Sequence, residues 1–349
     1  MEYIDMHRGR ERRSSKPLKF ARNVIRDLVE KEVVGAILFG SFAKGVVDEM
    51  SDLDLALIVE GEGGLKEVVV ENLKVEVWKY NLKHFLHTFE DEEYRDREDS
   101  WFLTSLWIKI LREGVILEDP RGILNKWRDK ALKWRWRRGE IVPVVDRAKK
   151  CIAVAKRTSS QGELFKGIVA IRDSFYNLTI AYVMALNRIP SIRPKDLYEE
   201  VKEIEFKKMF DRVQGLEDVD RDVVEELLNE LRDLLNRVWK GKRGARTEYE
   251  NALKSLRRGK VKEALLNARY CAFYIGVKML KDIGIKVRSN PYDAEFHTSL
   301  LDWLKDKRDF ISTYYRLHAT RKLDHEYLNE CIRLAEESLV GLSGILKSF

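Results

Sequence analysis

Residues Val33 to Glu60 read VVGAILFGSFAKGVVDEMSDLDLALIVE. Val33 to Phe39 is a short apolar run with the pattern of a buried strand, and Gly40-Ser41 closes it. Ten residues separate Ser41 from Asp52. Ser51-Asp52-Leu53-Asp54-Leu55-Ala56-Leu57-Ile58-Val59 then reads as a second strand. A strand has a two-residue period, so Asp52 and Asp54 project to one face. Two neighbouring carboxylates repel each other unless a cation lies between them. A hard divalent ion, normally Mg²⁺, takes oxygen ligands and is often shared with phosphates. Polar residues here stand where a buried strand ordinarily carries Val or Ile, which argues against chance alignment.

Gly40-Ser41-Phe42-Ala43-Lys44-Gly45 followed by Ser51-Asp52-Leu53-Asp54-Leu55 resembles the signature of the DNA polymerase β-like nucleotidyltransferase superfamily. The style is that of its small prokaryotic members: minimal nucleotidyltransferases, aminoglycoside nucleotidyltransferases and archaeal CCA-adding enzymes. The resemblance covers roughly the first third of the chain. It implies a small mixed-sheet α/β domain with a third carboxylate on a later strand. Glu76 is the candidate, because in Leu73-Lys74-Val75-Glu76-Val77-Trp78-Lys79-Tyr80 it lies on the face opposite Val75 and Val77. The implied reaction moves an NMP group from an NTP, ATP above all, to an acceptor hydroxyl. Asp52, Asp54 and Glu76 would then be catalytic and would ligate two Mg²⁺ ions, or Mn²⁺, with Glu76 serving the ion nearest the acceptor and helping to take its proton. Gly40 would let triphosphate oxygens approach the backbone. Ser41 would donate its hydroxyl and N–H to a phosphate at the start of a helix. Lys44 would neutralise the β- and γ-phosphates, or stand as a solvated turn lysine. Asp48, Glu49 and Ser51 read as loop residues, with Ser51 placed to orient Asp52.

The chain has 349 residues, enough for two or three domains with a substantial core. Charged residues make up 35% of it, yet the net charge is only +7; this basic excess permits nucleic-acid binding without showing it, and since a nucleoside triphosphate also prefers a positive cleft, the charge does not discriminate. No apolar run is long enough to span a membrane, and Met1 to Lys19 has no apolar segment of the secretory kind. Cys151, Cys271 and Cys331 form no Cys-x-x-Cys and read as reduced core residues of a cytoplasmic protein.

Along the chain, residues 1–19 carry Arg8, Arg10, Arg12, Arg13 and Lys16 and form a basic N-terminal arm, read either as a solvated or frayed terminus or as a contact to RNA or phosphate. The catalytic domain is expected over 20–122. It begins with a helix from Phe20 through Val29. After the Gly61-Glu62-Gly63-Gly64 turn, a helix is expected over Leu65 to Leu73, running into the Glu76 strand. Asn81 is placed to cap a helix with Leu82, Phe85, Leu86 and Phe89 on one face; its His84 and His87 lack a third ligand and read as surface. Trp101 to Leu111 is helical, and Gly114 to Pro120 is a closing strand. Lys126 to Arg138 interleaves Trp127, Trp134 and Trp136 with Arg and Lys. That stretch is either an RNA contact, with bases stacking on indoles, or an amphipathic helix with its Trp side chains packed inward. All-α bundles are expected over 123–240 and 246–349, joined by the basic Lys240 to Arg246 break. The segments Leu164 to Ile189 and Val261 to Ile285 look like two copies of one bundle type. The last region faintly resembles HEPN domains, but the Arg-x4–6-His spacing of their ribonuclease members is absent. The acceptor stays open among an RNA end, a protein hydroxyl and a small molecule. A different class is also carried: a nucleotide-sensing, RNA- or protein-binding regulatory or antitoxin-like module without turnover.

Overall fold

The computed structural model describes residues 21–23, 33–47, 51–70, 73–95, 97, 100–201, 203–239, 244–287 and 290–347. The basic arm, most of the helix expected from Phe20, Asp48, Glu49, and Lys240 to Arg243 of the expected linker lie outside them. Contacts divide the chain into two compact units, Met1–Arg135 and Trp136–Phe349.

The first unit is built on a mixed five-stranded sheet in the order β3-β4-β2-β1-β5, with β1 Val33–Phe39, β2 Leu53–Val59, β3 Gly64–Val70, β4 Leu73–Asn81 and β5 Val115–Glu118. β1 pairs antiparallel with β2 and with β5, β2 pairs parallel with β4, and β3 pairs antiparallel with β4. Alternation along the strands sends Ala36, Leu38, Leu53, Leu55, Leu57, Val75 and Val77 into one core. The helix expected over Leu65 to Leu73 is instead β3. Val68, Val69 and Val70 are β-branched, and the run alternates: Val68 and Val70 pack on the core while Val69 is exposed. A helix there would have left the β4 edge unpaired.

The single turn α1 (Gly40–Lys44) follows β1 directly. α2 (Leu82–Glu90) is capped as expected, with the Asn81 side chain accepting from Lys83 N at 2.8 Å. A short turn α3 (Glu92–Arg95) leads to α4 (Ser100–Glu113). On α4, Trp107 meets Tyr80 of β4 edge-on at 4.6 Å and stacks on Phe85 of α2 at 4.2 Å. This aromatic cluster joins α2 and α4 to the end of β4. The compact unit runs on to Arg135. α5 (Ile123–Leu132) packs on α4, and Arg112 donates to the Ala131 carbonyl at 2.7 Å.

The second unit contains helices only among its described residues: α6 Arg138–Ser160, α7 Leu164–Ala185, α8 Pro194–Glu200, α9 Ile204–Gln214, α10 Arg221–Val238, α11 Ala245–Arg257, α12 Val261–Asp282, α13 Ala294–Trp303, α14 Arg308–His318 and α15 His325–Leu346. Its packing repeats. α6 pairs with α7 as α11 pairs with α12; α7 lies against α13 and α15 of the second half as α12 lies against α8 and α10 of the first. The matching residues Gly162 and Gly259, Arg172 and Arg269, and Pro194 and Pro291 are each 97 apart. The two similar segments noticed in the sequence are therefore the central helices α7 and α12 of two halves that interlock. Each central helix packs against helices of the other half. Arg172 donates to Val213 O at 3.1 Å and His318 O at 2.8 Å, while Arg269 donates to Leu317 O and Gln214 O, both at 2.8 Å. Two buried guanidiniums thus satisfy the last carbonyls of α9 and α14, which helix ends otherwise leave unpaired. Cys151, Cys271 and Cys331 are free and buried, as expected.

Candidate active site

The geometry of the strand ladder brings the two acidic stretches together. In the β2–β4 register Asp54 stands directly opposite Glu76, and in the β1–β2 register it stands opposite Phe39, the last residue before Gly40. Asp52 comes two residues before Asp54, just ahead of β2, on the same side of the chain. The site thus lies where β1 ends and β2 and β4 begin. The separation of 22 residues between Asp54 and Glu76 disappears because β3 makes a hairpin with β4 and returns it beside β2.

Gly40 also has a reason in its own surroundings to be glycine. Its φ is +72°, and a Cβ added to it would lie 2.1 Å from Asp54 Oδ2. The Asp54 carboxylate therefore rests against the Gly40 backbone, in space only glycine leaves. Ser41 follows in the first turn of α1, whose N-cap, Phe39, offers no side-chain oxygen. Lys44 ends α1 and pairs with Glu113 of α4 at 2.7 Å, both side chains about half exposed. Its cation is thus engaged at the rim of the site in this arrangement.

Two residues unnoticed in the sequence join the row. Glu67 on β3 stands opposite Glu76, so Asp54, Glu76 and Glu67 lie in line across three strands. Lys74 bonds Glu76 at 2.7 Å and Glu67 at 3.2 Å. Partial burial opposes its charge, but Glu76, Glu67 and Asp52 together hold the ammonium protonated well above the usual lysine range. The signal that could have found Lys74 is its place two residues before Glu76, which puts both on one face of β4. Glu67 was hidden by reading β3 as a helix.

Among the described residues no group of three or more His, Cys, Asp or Glu side chains is gathered closely enough to hold a metal ion as it stands. Glu76 is drawn to Lys74. The donor set still fits a hard divalent ion: every donor is a carboxylate oxygen, Asp54 and Glu76 face each other across one ladder step, and a cation already stands among them.

The interleaved Trp and Arg stretch is part of the core. Trp127 is 1% exposed, Trp134 6% and Trp136 3%. Trp127 donates to Glu90 at 3.0 Å, Arg95 stacks over Trp134 at 3.8 Å, and Trp136 donates to Arg188 O at 2.7 Å. No indole face is left for bases, so the RNA contact read into Lys126 to Arg138 does not rest on these rings. His84 is exposed and His87 pairs with Asp91 at 3.2 Å, as a surface helix face would have it.

Residues 21–105 match the family model described as a nucleotidyltransferase domain. That span holds Gly40, Ser41, Lys44, Asp52, Asp54, Glu67, Lys74 and Glu76. No curated protein matches the chain. Among solved structures, a nucleotidyltransferase-like protein from Exiguobacterium sibiricum 255-15 is similar over 83% of this chain and 91% of its own, at 10% identity and a TM-score of 0.38. No helix among the described residues is long and apolar enough to cross a membrane.

Proposed function

We propose that the first unit transfers a nucleotidyl group from an NTP to an acceptor hydroxyl. The observation that carries this reading is the ladder step that sets Asp54 opposite Glu76 and against Gly40, inside the span matched by the nucleotidyltransferase domain model. In the reaction the acceptor oxygen forms a bond to the α-phosphorus, the bond to the bridging α–β oxygen breaks, pyrophosphate leaves with that electron pair, and the acceptor proton passes to a base. Asp52, Asp54 and Glu76 would hold the Mg²⁺ or Mn²⁺ ions, which when bound supply positive charge to the attacking and leaving oxygens. Glu76, on the strand beside Asp54, is the carboxylate assigned to orient the acceptor hydroxyl and accept its proton. Ser41 donates to phosphate from the turn that follows β1. Lys44 is assigned to the β- and γ-phosphates, exchanging its surface pairing with Glu113 for theirs; an exposed pair of this kind is weak enough to exchange. ATP is the first nucleotide to test. The acceptor is an RNA end, a protein hydroxyl or a small molecule.

A transfer assay with each α-labelled NTP, Mg²⁺ or Mn²⁺, and total RNA or the protein itself as acceptor tests this. Label appearing in an acceptor, and lost in the Asp52→Ala/Asp54→Ala variant, supports the reading. If neither transfer nor cation-dependent NTP binding is detected, the enzyme reading falls.

A further inference from the structure

The carboxylate row carries its own cation. Lys74 and Glu76 leave β4 on the same face, and the ammonium bonds Glu76 at 2.7 Å while reaching Glu67 on the edge strand at 3.2 Å. Asp52 precedes Leu53, which is in register with Val75, so Asp52 stands level with Lys74. We propose that Lys74 is a resident counter-cation that occupies Glu76 until a divalent ion takes that carboxylate, and that Glu67 is the carboxylate to which Lys74 then withdraws. The identity of the ion rests on the nucleotidyltransferase reading; the exchange between Glu76 and Glu67 goes beyond it.

Three physical facts carry the inference. Carboxylates on adjacent strands of one face are neighbours, so Asp52, Asp54, Glu76 and Glu67 without a cation would repel across the ladder. The Glu76 side chain is only 10% exposed, so water screens that repulsion poorly and a protein cation is needed in its place. A divalent ion on Glu76 and an ammonium bonded to the same carboxylate are like charges at close range, so both cannot keep their present hold. Lysine suits the exchange because its charge is a point on a flexible stem, where arginine would lock the carboxylate in a fork. Glu67 needs no new approach, since the ammonium already bonds both carboxylates. The consequence is a site that stays charge-balanced without metal and binds it less tightly than its carboxylates alone would.

The test measures Mn²⁺ affinity of the full chain by calorimetry, together with thermal unfolding in EDTA and in Mn²⁺, for the wild type, Lys74→Met, Glu67→Gln and Asp52→Ala/Asp54→Ala. Lys74→Gln serves where Met impairs folding. Lys74→Met is expected to bind Mn²⁺ roughly tenfold tighter, as expected when a like charge leaves a ligand's first contact. It should also melt lower than the wild type in EDTA and gain more from Mn²⁺. Glu67→Gln should bind Mn²⁺ more weakly, because Lys74 loses its alternative partner. Unchanged or weaker binding by Lys74→Met overturns the counter-cation, and unchanged or tighter binding by Glu67→Gln overturns the exchange. If the wild type binds no Mn²⁺ that depends on Asp52 and Asp54, the metal reading of the site fails. The counter-cation is then judged by the EDTA melts, where a Lys74→Met protein as stable as the wild type overturns it.

Discussion

Replacing Gly40 by alanine separates stability from catalysis at this site. The residue sits at φ +72°, and an alanine held in the left-handed region costs about 1–2 kcal/mol. The added Cβ would meet Asp54 Oδ2 at 2.1 Å and Asp54 Cγ at 3.1 Å. An ordinary non-bonded contact is near 3.5 Å, so the carboxylate must retreat by more than about 1 Å. Displacing a reacting group by about 1 Å costs roughly 100-fold in rate, equivalent to about 2.7 kcal/mol of barrier. Gly45 is the internal control: its φ is +70°, but a Cβ there would meet nothing within 4 Å. Gly45→Ala should therefore lose about 1–2 kcal/mol of stability and little activity, whereas Gly40→Ala should lose similar or somewhat greater stability and about 100-fold in kcat/KM. Urea unfolding and labelled-NTP transfer measured on the same preparations give both quantities. If Gly40→Ala loses no more activity than Gly45→Ala, the contact between Gly40 and Asp54 has no bearing on the chemistry, and the reasoning that places Asp54 by its fit against the glycine is wrong.

Trp127→Phe removes the indole N–H that bonds Glu90 and some of a ring stacked near Phe85 and Phe89. It should lower stability by about 1–2 kcal/mol in urea melts. Any RNA affinity measured by filter binding should not change, because the ring is inside the fold; a selective loss of RNA binding would contradict its burial. His318 is buried beside Arg172 and Arg269, and burial followed by these two cations pushes its pKa well below the usual histidine value of 6.5. The unfolded chain therefore binds a proton there that the folded chain refuses, so this contribution is full above about pH 6.5 and is lost progressively as the pH falls below it. Stability measured between pH 7.5 and 5 should decline less steeply in His318→Gln than in the wild type, and an equal slope would show that the group does not titrate on unfolding.

The candidate site was legible in the sequence as far as the placement of its carboxylates follows from local spacing. Asp52, Asp54 and Glu76 announce themselves as carboxylates interrupting apolar strands, and the period of two assigns each to a face without knowledge of its neighbours. Helix α2 and its Asn81 cap, strand β5 and helix α4 were readable for the same reason. The β3 strand was not: Leu65 to Val70 carries apolar and charged residues in an order compatible with either period. What decides it is a partner, the open edge of β4. With that strand misread, Glu67 had no place beside Glu76. The Trp127, Trp134 and Trp136 stretch was ambiguous because an indole among cations serves equally for stacking on bases or filling a core. Only its contacts with Glu90, Arg95 and Arg188 settle the matter.

Sequence alone determined that this chain begins with a sheet bearing paired carboxylates after a Gly-Ser turn and continues as helices, because hydrophobic period and turn chemistry are properties of neighbouring residues. Tertiary structure decided which distant groups meet. It set Glu76 level with Asp54, pressed the Asp54 carboxylate into the space Gly40 leaves, placed Lys74 among four carboxylates, and interlocked the two helical halves through Arg172 and Arg269. These relations depend on strand register and on which face buries which. Both are fixed only when the whole core packs, since a step of one residue in strand register would turn the side chains of the shifted strand, Glu76 and Lys74 among them, to the opposite face.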